Sequence, residues 1–243
     1  MKIIIIKCAL IICLLAPKAM FAQEIMLSDK KLKILTLGDS NGTFPYSWPQ
    51  QLQLALPNSQ IFNLSKSGRT IGFLNLGDSS LNSRLVIDQN LKKASAFMPD
   101  RPYDYIILEL GTNDAKAVFA KTQQDVAGNL AGLIDQIQNS IYPTVKTAKI
   151  VVISPPPYGI QADTTSKYKG GNARVKAMSI NFRKVARKKK CLFVNGFKTP
   201  GLNVNTMTID GLHLDATGSK NLILPLVKLF VKFSDIHITN VFK

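Results

Sequence analysis

Apolar positions change period repeatedly along the chain, and each change marks a new element. Leu32-Lys33-Ile34-Leu35-Thr36-Leu37 reads as a first strand that stops at Gly38. Ser47 then stands at a helix-cap position, before a segment from about Trp48 to Leu56 that Pro57-Asn58 closes. Gln60 to Leu64 is a second strand. Tyr103 to Leu110 is almost continuously apolar, as a strand buried on both faces should be. Between residues 123 and 141, Val126, Leu130, Leu133, Ile134 and Ile137 recur at helical spacing on one face. Lys149 to Ile153 is another buried strand. A helix over about 173–190, a short strand at Cys191-Leu192-Phe193-Val194 and a last helix over about 216–231, capped by Asp215, complete the pattern. The stretch from Gly72 to Pro99 is expected to hold a loop and a helix, and the tail from Phe233 carries no readable signal. Strands and helices alternating through one domain predict a parallel sheet covered on both faces.

The first 22 residues fall outside this pattern. A basic start, Met1-Lys2, leads to an apolar core, and Ala19-Met20-Phe21-Ala22 precedes the more polar Gln23-Glu24. This is the layout of a secretory signal peptide cleaved after Ala22, which places the protein in the periplasm or outside the cell. The apolar run Cys8–Ala16 is shorter than the roughly 20 residues of a membrane span, so no stable membrane anchor is expected; an uncleaved N-terminal anchor is the alternative. Residues 23–243 then form a single domain. Cys191 is its sole cysteine and excludes an internal disulfide. Removing the leader's three lysines leaves 28 basic and 15 acidic residues, a net charge of +13. Such a charge suits acidic surroundings. The densest cluster, Arg183 to Lys190, lies at a helix end where cations complement the dipole, and no nucleic-acid motif accompanies it.

Ligands in open α/β sheets gather at the carboxyl ends of strands. Three such ends here carry unusual polar sequences: Gly38-Asp39-Ser40-Asn41, then Asn63-Leu64-Ser65-Lys66-Ser67-Gly68-Arg69, then Gly111-Thr112-Asn113-Asp114. Asp210-Gly211-Leu212-His213 precedes the last helix. Residues 38–42 also match the G-x-S-x-G elbow of α/β-hydrolases, but this serine follows the first strand, and Asp210 and His213 are three residues apart rather than on separate loops. The four blocks in order instead resemble the SGNH (GDSL) hydrolase superfamily. Leu110 to Phe119 and Val152-Ile153-Ser154-Pro155-Pro156-Pro157 look most like its arylesterase, acyltransferase and carbohydrate acetylesterase branch. One departure is Asn41, where the older signature has leucine.

The resemblance implies a flavodoxin-like three-layer α/β/α fold with a parallel sheet of about five strands. It also implies an ester hydrolase in which Ser40 is the nucleophile and Asp210 and His213 complete a triad. The backbone N–H groups of Ser40 and Gly68 and the amide of Asn113 would form the oxyanion hole. Serine needs a base to accept its proton, and the acid fixes the tautomer of that base. Asp39 and Asp114 are expected to brace loops. No cofactor is needed, and two distant histidines and one cysteine offer no metal cluster. The expected substrate is a short-chain ester, acetyl on carbohydrate. A lipid-directed esterase or thioesterase and a non-catalytic polysaccharide-binding module on the same fold are the alternatives.

Overall fold

The computed structural model describes residues 31–239. The expected leader, its cleavage after Ala22 and the last four residues of the tail lie outside them.

Five strands form one parallel sheet: β1 (Lys33–Gly38), β2 (Gln60–Asn63), β3 (Tyr105–Glu109), β4 (Lys149–Ile153) and β5 (Leu192–Val194). Their spatial order is β2-β1-β3-β4-β5, the flavodoxin-like arrangement. Among the described residues seven α-helices connect and cover them: α1 (Trp48–Ala55), α2 (Ser83–Phe97), α3 (Val126–Gln138), α4 (Pro143–Lys146), α5 (Ile160–Asp163), α6 (Gly171–Lys188) and α7 (Ala216–Thr239).

Side chains alternate across the pleat, so each strand feeds two cores. Leu35, Leu37, Ile106, Leu108, Ile150 and Val152 pack against Ile87 and Leu91 of α2, Leu130 and Ile134 of α3, and Val175 and Phe182 of α6. Ile34, Ile107, Val151, Ile153 and Val194 face the other way, onto Trp48 and Leu52 of α1 and Leu222 and Leu226 of α7. The sheet is thus sandwiched between two helix layers. Trp48 is fully buried, and truncating it to alanine would cost about 3–5 kcal/mol, the range for large aromatic core residues.

Several boundaries differ from expectation, each for a local reason. The third helix begins at Val126 rather than near Gln123, because residues 117–125 are wound as 3₁₀ turns. There the Gln123 amide donates to the carbonyls of Asp114 and Phe119. Ser47 occupies the cap position of α1 without a side-chain cap bond, and Pro49 removes one of the N–H groups it would have served. Asp215 does cap α7, its carboxylate accepting from Gly218 N–H at 2.7 Å. The last helix continues to Thr239 rather than stopping near Val231. At the basic end of α6, Lys189 pairs with Asp135 at 2.5 Å and Arg183 lies 5.2 Å from the Phe193 ring centre. Cys191 packs half-buried against the first core, and burial pushes its thiol up to about 11, far from a reactive thiolate.

Connections leave β1 toward one side of the sheet and β3 toward the other, so the crevice between their carboxyl ends is the switch point of the topology. Gly38 pairs in register with Glu109, which brings the segments that follow each strand side by side.

Candidate active site

Ser40 lies just after β1, on a single 3₁₀ turn that Asp39 caps by accepting the Asn41 N–H at 3.0 Å. The segment 210–213 approaches from the loop before α7. Asp210 uses its two oxygens differently. Oδ1 accepts the backbone N–H groups of Leu212 at 2.9 Å and His213 at 2.8 Å, while Oδ2 lies 2.6 Å from His213 Nδ1. Gly211, at φ +79°, allows this turn; a Cβ there would come within 2.7 Å of the Ala162 nitrogen. His213 Nε2 then stands 3.0 Å from Ser40 Oγ across 173 residues of sequence. Burial pushes the Asp210 carboxyl up, but the hydrogen bonds from His213 and Leu212 outweigh it and hold the group below its ordinary value. Asp210 therefore stays ionised beside an imidazole whose far nitrogen faces a hydroxyl. Such an array can accept the hydroxyl proton as the oxygen attacks a carbonyl.

Loops after β2 and β3 close the other side. Asn63 joins the second block to the serine turn: its amide donates to Gly42 O at 2.7 Å and accepts from Thr36 Oγ1 at 2.9 Å. Lys66 N–H donates to Gly38 O at 3.1 Å. Gly68 sits at φ +81°, a conformation in which side chains other than glycine are strained. Asn113 is buried, and its amide donates to Arg69 O at 3.1 Å, stitching the third block to the second. Both Asp114 oxygens accept the Ile71 N–H at 3.0 Å. Asp39 and Asp114 thus brace loops.

Two features were not legible beforehand. The first is Asn41. Its Oδ1 accepts Leu214 N–H at 2.9 Å and its Nδ2 donates to Leu212 O at 3.4 Å, so one buried amide grips the residues on both sides of His213. Leucine could make neither bond. Asn41→Leu is expected to lower kcat on the order of tenfold by loosening the imidazole, with Ser40 still intact. Steady-state rates on an acetyl ester check this, and an unchanged kcat would reject the role. The Phe44 ring packs at a 74° interplanar angle and 5.7 Å from the His213 ring, while stacking on Tyr46.

The second is a buried carboxyl pair. Asp39 and Glu109 are both fully buried on adjacent strand ends. Burial raises Asp39 to about 6 and Asp114 to about 7, and burial together with the Asp39 charge pushes Glu109 well above its usual range. These groups bind protons more tightly folded than unfolded, where the ordinary aspartate value of 3.8 applies. Stability should therefore fall as pH rises from about 4 to about 7, since the unfolded chain loses those protons first. The thermal midpoint is expected to rise on going from about pH 7.5 to pH 5, and Asp39→Asn should shrink that rise. A midpoint that drops on this acidification, equally in both proteins, would contradict the sign.

Comparison with known proteins fits this geometry. The model of the GDSL-like Lipase/Acylhydrolase family matches residues 35–220. No curated protein matches the chain by sequence. Among solved structures, Est24, a carbohydrate acetylesterase from Sinorhizobium meliloti, superposes with a TM-score of 0.71 at 23% identity, over 84% of this chain and 100% of its own. The native aryl esterase of M. smegmatis gives 0.69 at 23% identity, over 82% and 98%. A G-D-S-L family protein from Veillonella parvula gives 0.59 at 14% identity, over 82% and 98%. At such identities these likenesses show a shared fold.

Proposed function

The chain belongs to the GDSL-like lipase/acylhydrolase family, and from that premise we propose that it is a serine esterase whose nucleophile is Ser40. The observation that carries the reading is the unbroken line Ser40 Oγ, His213 Nε2, His213 Nδ1, Asp210 Oδ2, with steps of 3.0 and 2.6 Å. Ser40 Oγ attacks the ester carbonyl as its proton passes to His213 Nε2. Asp210 stabilises the imidazolium. The tetrahedral oxyanion is held by the N–H groups of Ser40 and Gly68 and by the Asn113 amide. Collapse expels the alcohol, which takes the proton from His213 and leaves an acyl-serine. Water, deprotonated by the same imidazole, attacks that ester and releases the carboxylic acid, restoring Ser40.

The substrate we propose is a small acyl ester, acetyl on carbohydrate, met outside the cytoplasm. Three things support it: the leader-like residues 1–22, the short path from Gly42 to α1 with no long apolar lid segment, and the net charge of +13 on residues 23–243, which steers toward acidic glycans. Est24 bears the description carbohydrate acetylesterase. Among the described residues no helix is long and apolar enough to cross a membrane.

One observation favours a second reading, larger acyl or aryl esters. A groove of about 550 Å³ is lined by Leu74, Leu76, Val118 and Phe119, and the first three are exposed. Exposed apolar side chains clustered in one groove suit an apolar ligand. A series of activated esters separates the two. Each methylene that fails to fit costs about 1–3 kcal/mol, so a stepwise fall in kcat/KM from acetyl to butyryl, with near silence at octanoyl, is expected. Octanoyl esters turning over faster than acetyl esters would replace the first reading by the second.

A further inference from the structure

The loop that carries Gly68 follows the edge strand β2. Three successive carbonyls in it are held by side chains. Gly68 O accepts from Asn75 Nδ2 at 2.6 Å, Arg69 O from Asn113 Nδ2 at 3.1 Å, and Thr70 O from Ser83 Oγ at 2.7 Å. Asn113 belongs to a recognisable motif, whereas Asn75 belongs to none.

Asn75 is buried between two exposed leucines, Leu74 and Leu76. Leu76 adopts φ +57°, a left-handed conformation that a leucine holds only at a cost of about 1–3 kcal/mol and only where its surroundings dictate it. Beside this turn the Asn75 amide is directed at the Gly68 carbonyl. Its nitrogen packs against the glycine itself, 3.3 Å from where a Gly68 Cβ would stand. Behind it, buried Lys116 donates from Nζ to Asn75 Oδ1 at 3.0 Å. An ammonium only donates and a carbonyl only accepts, so the two neighbours leave the amide a single orientation.

Burial lowers the Lys116 amine to about 8, with Lys167 acting in the same direction and Asp39 and Asp114 opposing it. At neutral pH the amine still carries its proton. Its bond to Oδ1 is then charge-assisted, and it polarises the amide toward a stronger bond from Nδ2 to Gly68 O.

We propose that Asn75, oriented by Lys116, is a positioning residue: it holds the Gly68 carbonyl and so, across the Gly68 Cα, sets the direction in which the Gly68 N–H meets the oxyanion formed at Ser40. This rests on the serine-esterase reading above. A small displacement of a preorganised donor is costly in rate, because the donor is aimed at charge that exists only in the transition state.

Asn75→Asp is the discriminating variant. A carboxylate keeps a partner for Lys116 but has no N–H for Gly68 O. The expected result is a fall in kcat on the order of 10- to 100-fold with KM within about twofold, since only transition-state binding is lost. The inhibition constant of a trifluoromethyl ketone, which forms a tetrahedral adduct, should weaken by the same factor. Lys116→Met should move both quantities in the same direction, and Lys116→Arg, which retains a donor, should recover most of the loss. A purely structural Asn75 would instead lower the thermal midpoint without changing kcat or ketone affinity at temperatures where the variant is folded. Wild-type kcat in Asn75→Asp would overturn the proposal. Should that variant not fold, equal activity of Lys116→Met and wild type would overturn it as well. An organophosphonate separates this from the parent reading. Labelling at Ser40 with unimpaired Asn75→Asp removes the positioning role alone, whereas a wild type labelled at another residue removes both.

Discussion

Ser40→Ala is expected to lower kcat for an acetyl ester by on the order of 10⁴-fold or more, the largest effect of any single change in this protein. The hydroxyl lies 3.0 Å from His213 Nε2, and its replacement by a hydrogen removes the atom that would form the acyl-enzyme bond. Stability should change little. One buried hydroxyl forfeits about 0.5–1.5 kcal/mol of hydrogen bonding, which cannot account for such a rate loss. His213→Ala should be nearly as severe, because a serine hydroxyl without a base is a poor nucleophile. Asp210→Asn should leave more residual rate. Its Oδ1 still accepts the N–H groups of Leu212 and His213, so the turn survives, but its amide faces His213 Nδ1 with donors and favours the wrong tautomer. Combining the three changes should cost little more than Ser40→Ala alone, since groups that act as a unit are not additive. Rates, unfolding midpoints and phosphonate mass labelling check the set. A Ser40→Ala enzyme that keeps more than about 1% of wild-type kcat would show that the nucleophile lies elsewhere.

Asn113→Ala should lower kcat by roughly 10²–10³ while leaving KM nearly unchanged. The side-chain amide has two N–H donors. One is spent on Arg69 O at 3.1 Å, which fixes the plane of the group, and the other is the donor assigned to the oxyanion. That charge is fully developed only in the tetrahedral state, so the loss should appear in turnover rather than in substrate binding. Truncation also leaves the Arg69 carbonyl unpaired, at a cost of about 1–3 kcal/mol in stability, so assays belong well below the variant's melting temperature. Asn113→Asp is the sharper companion: it presents an acceptor to a developing oxyanion and should be worse than alanine. An increase in KM with kcat intact would make Asn113 a ground-state contact for the substrate.

The order of strands and helices was legible because buried parallel strands must be apolar on both faces, and the helices that cover them carry a stripe at a period of 3.6. Lys149–Ile153 matches residue for residue, and all five members of the stripe from Val126 to Ile137 are buried. Where the reading slipped, a distant contact decided. Residues 117–125 are held as 3₁₀ turns by Gln123 on Asp114 and by the Ala117 N–H on Lys167 O, contacts that local periodicity does not register.

The candidate site divides along the same line. Asp210 and His213 stood out through the resemblance, and their pairing is a local turn, with one carboxylate oxygen satisfying backbone three residues on and the other meeting the ring. Ser40 and Asn113 stood out as polar residues placed where apolar strands end. That Ser40 and His213 would meet at 3.0 Å required the β1–β3 switch point and the packing of α7 beside α1. Asn75 lay outside every block, and for Asn41, Lys116 and the Asp39–Glu109 pair nothing in the sequence indicated the contacts they make. An amide, an amine or a carboxyl acquires its role from the single donor, acceptor or charge across from it and from the water excluded around it. Composition and spacing record the presence of such groups, but hydrogen-bond geometry and burial exist only once the chain has closed on itself.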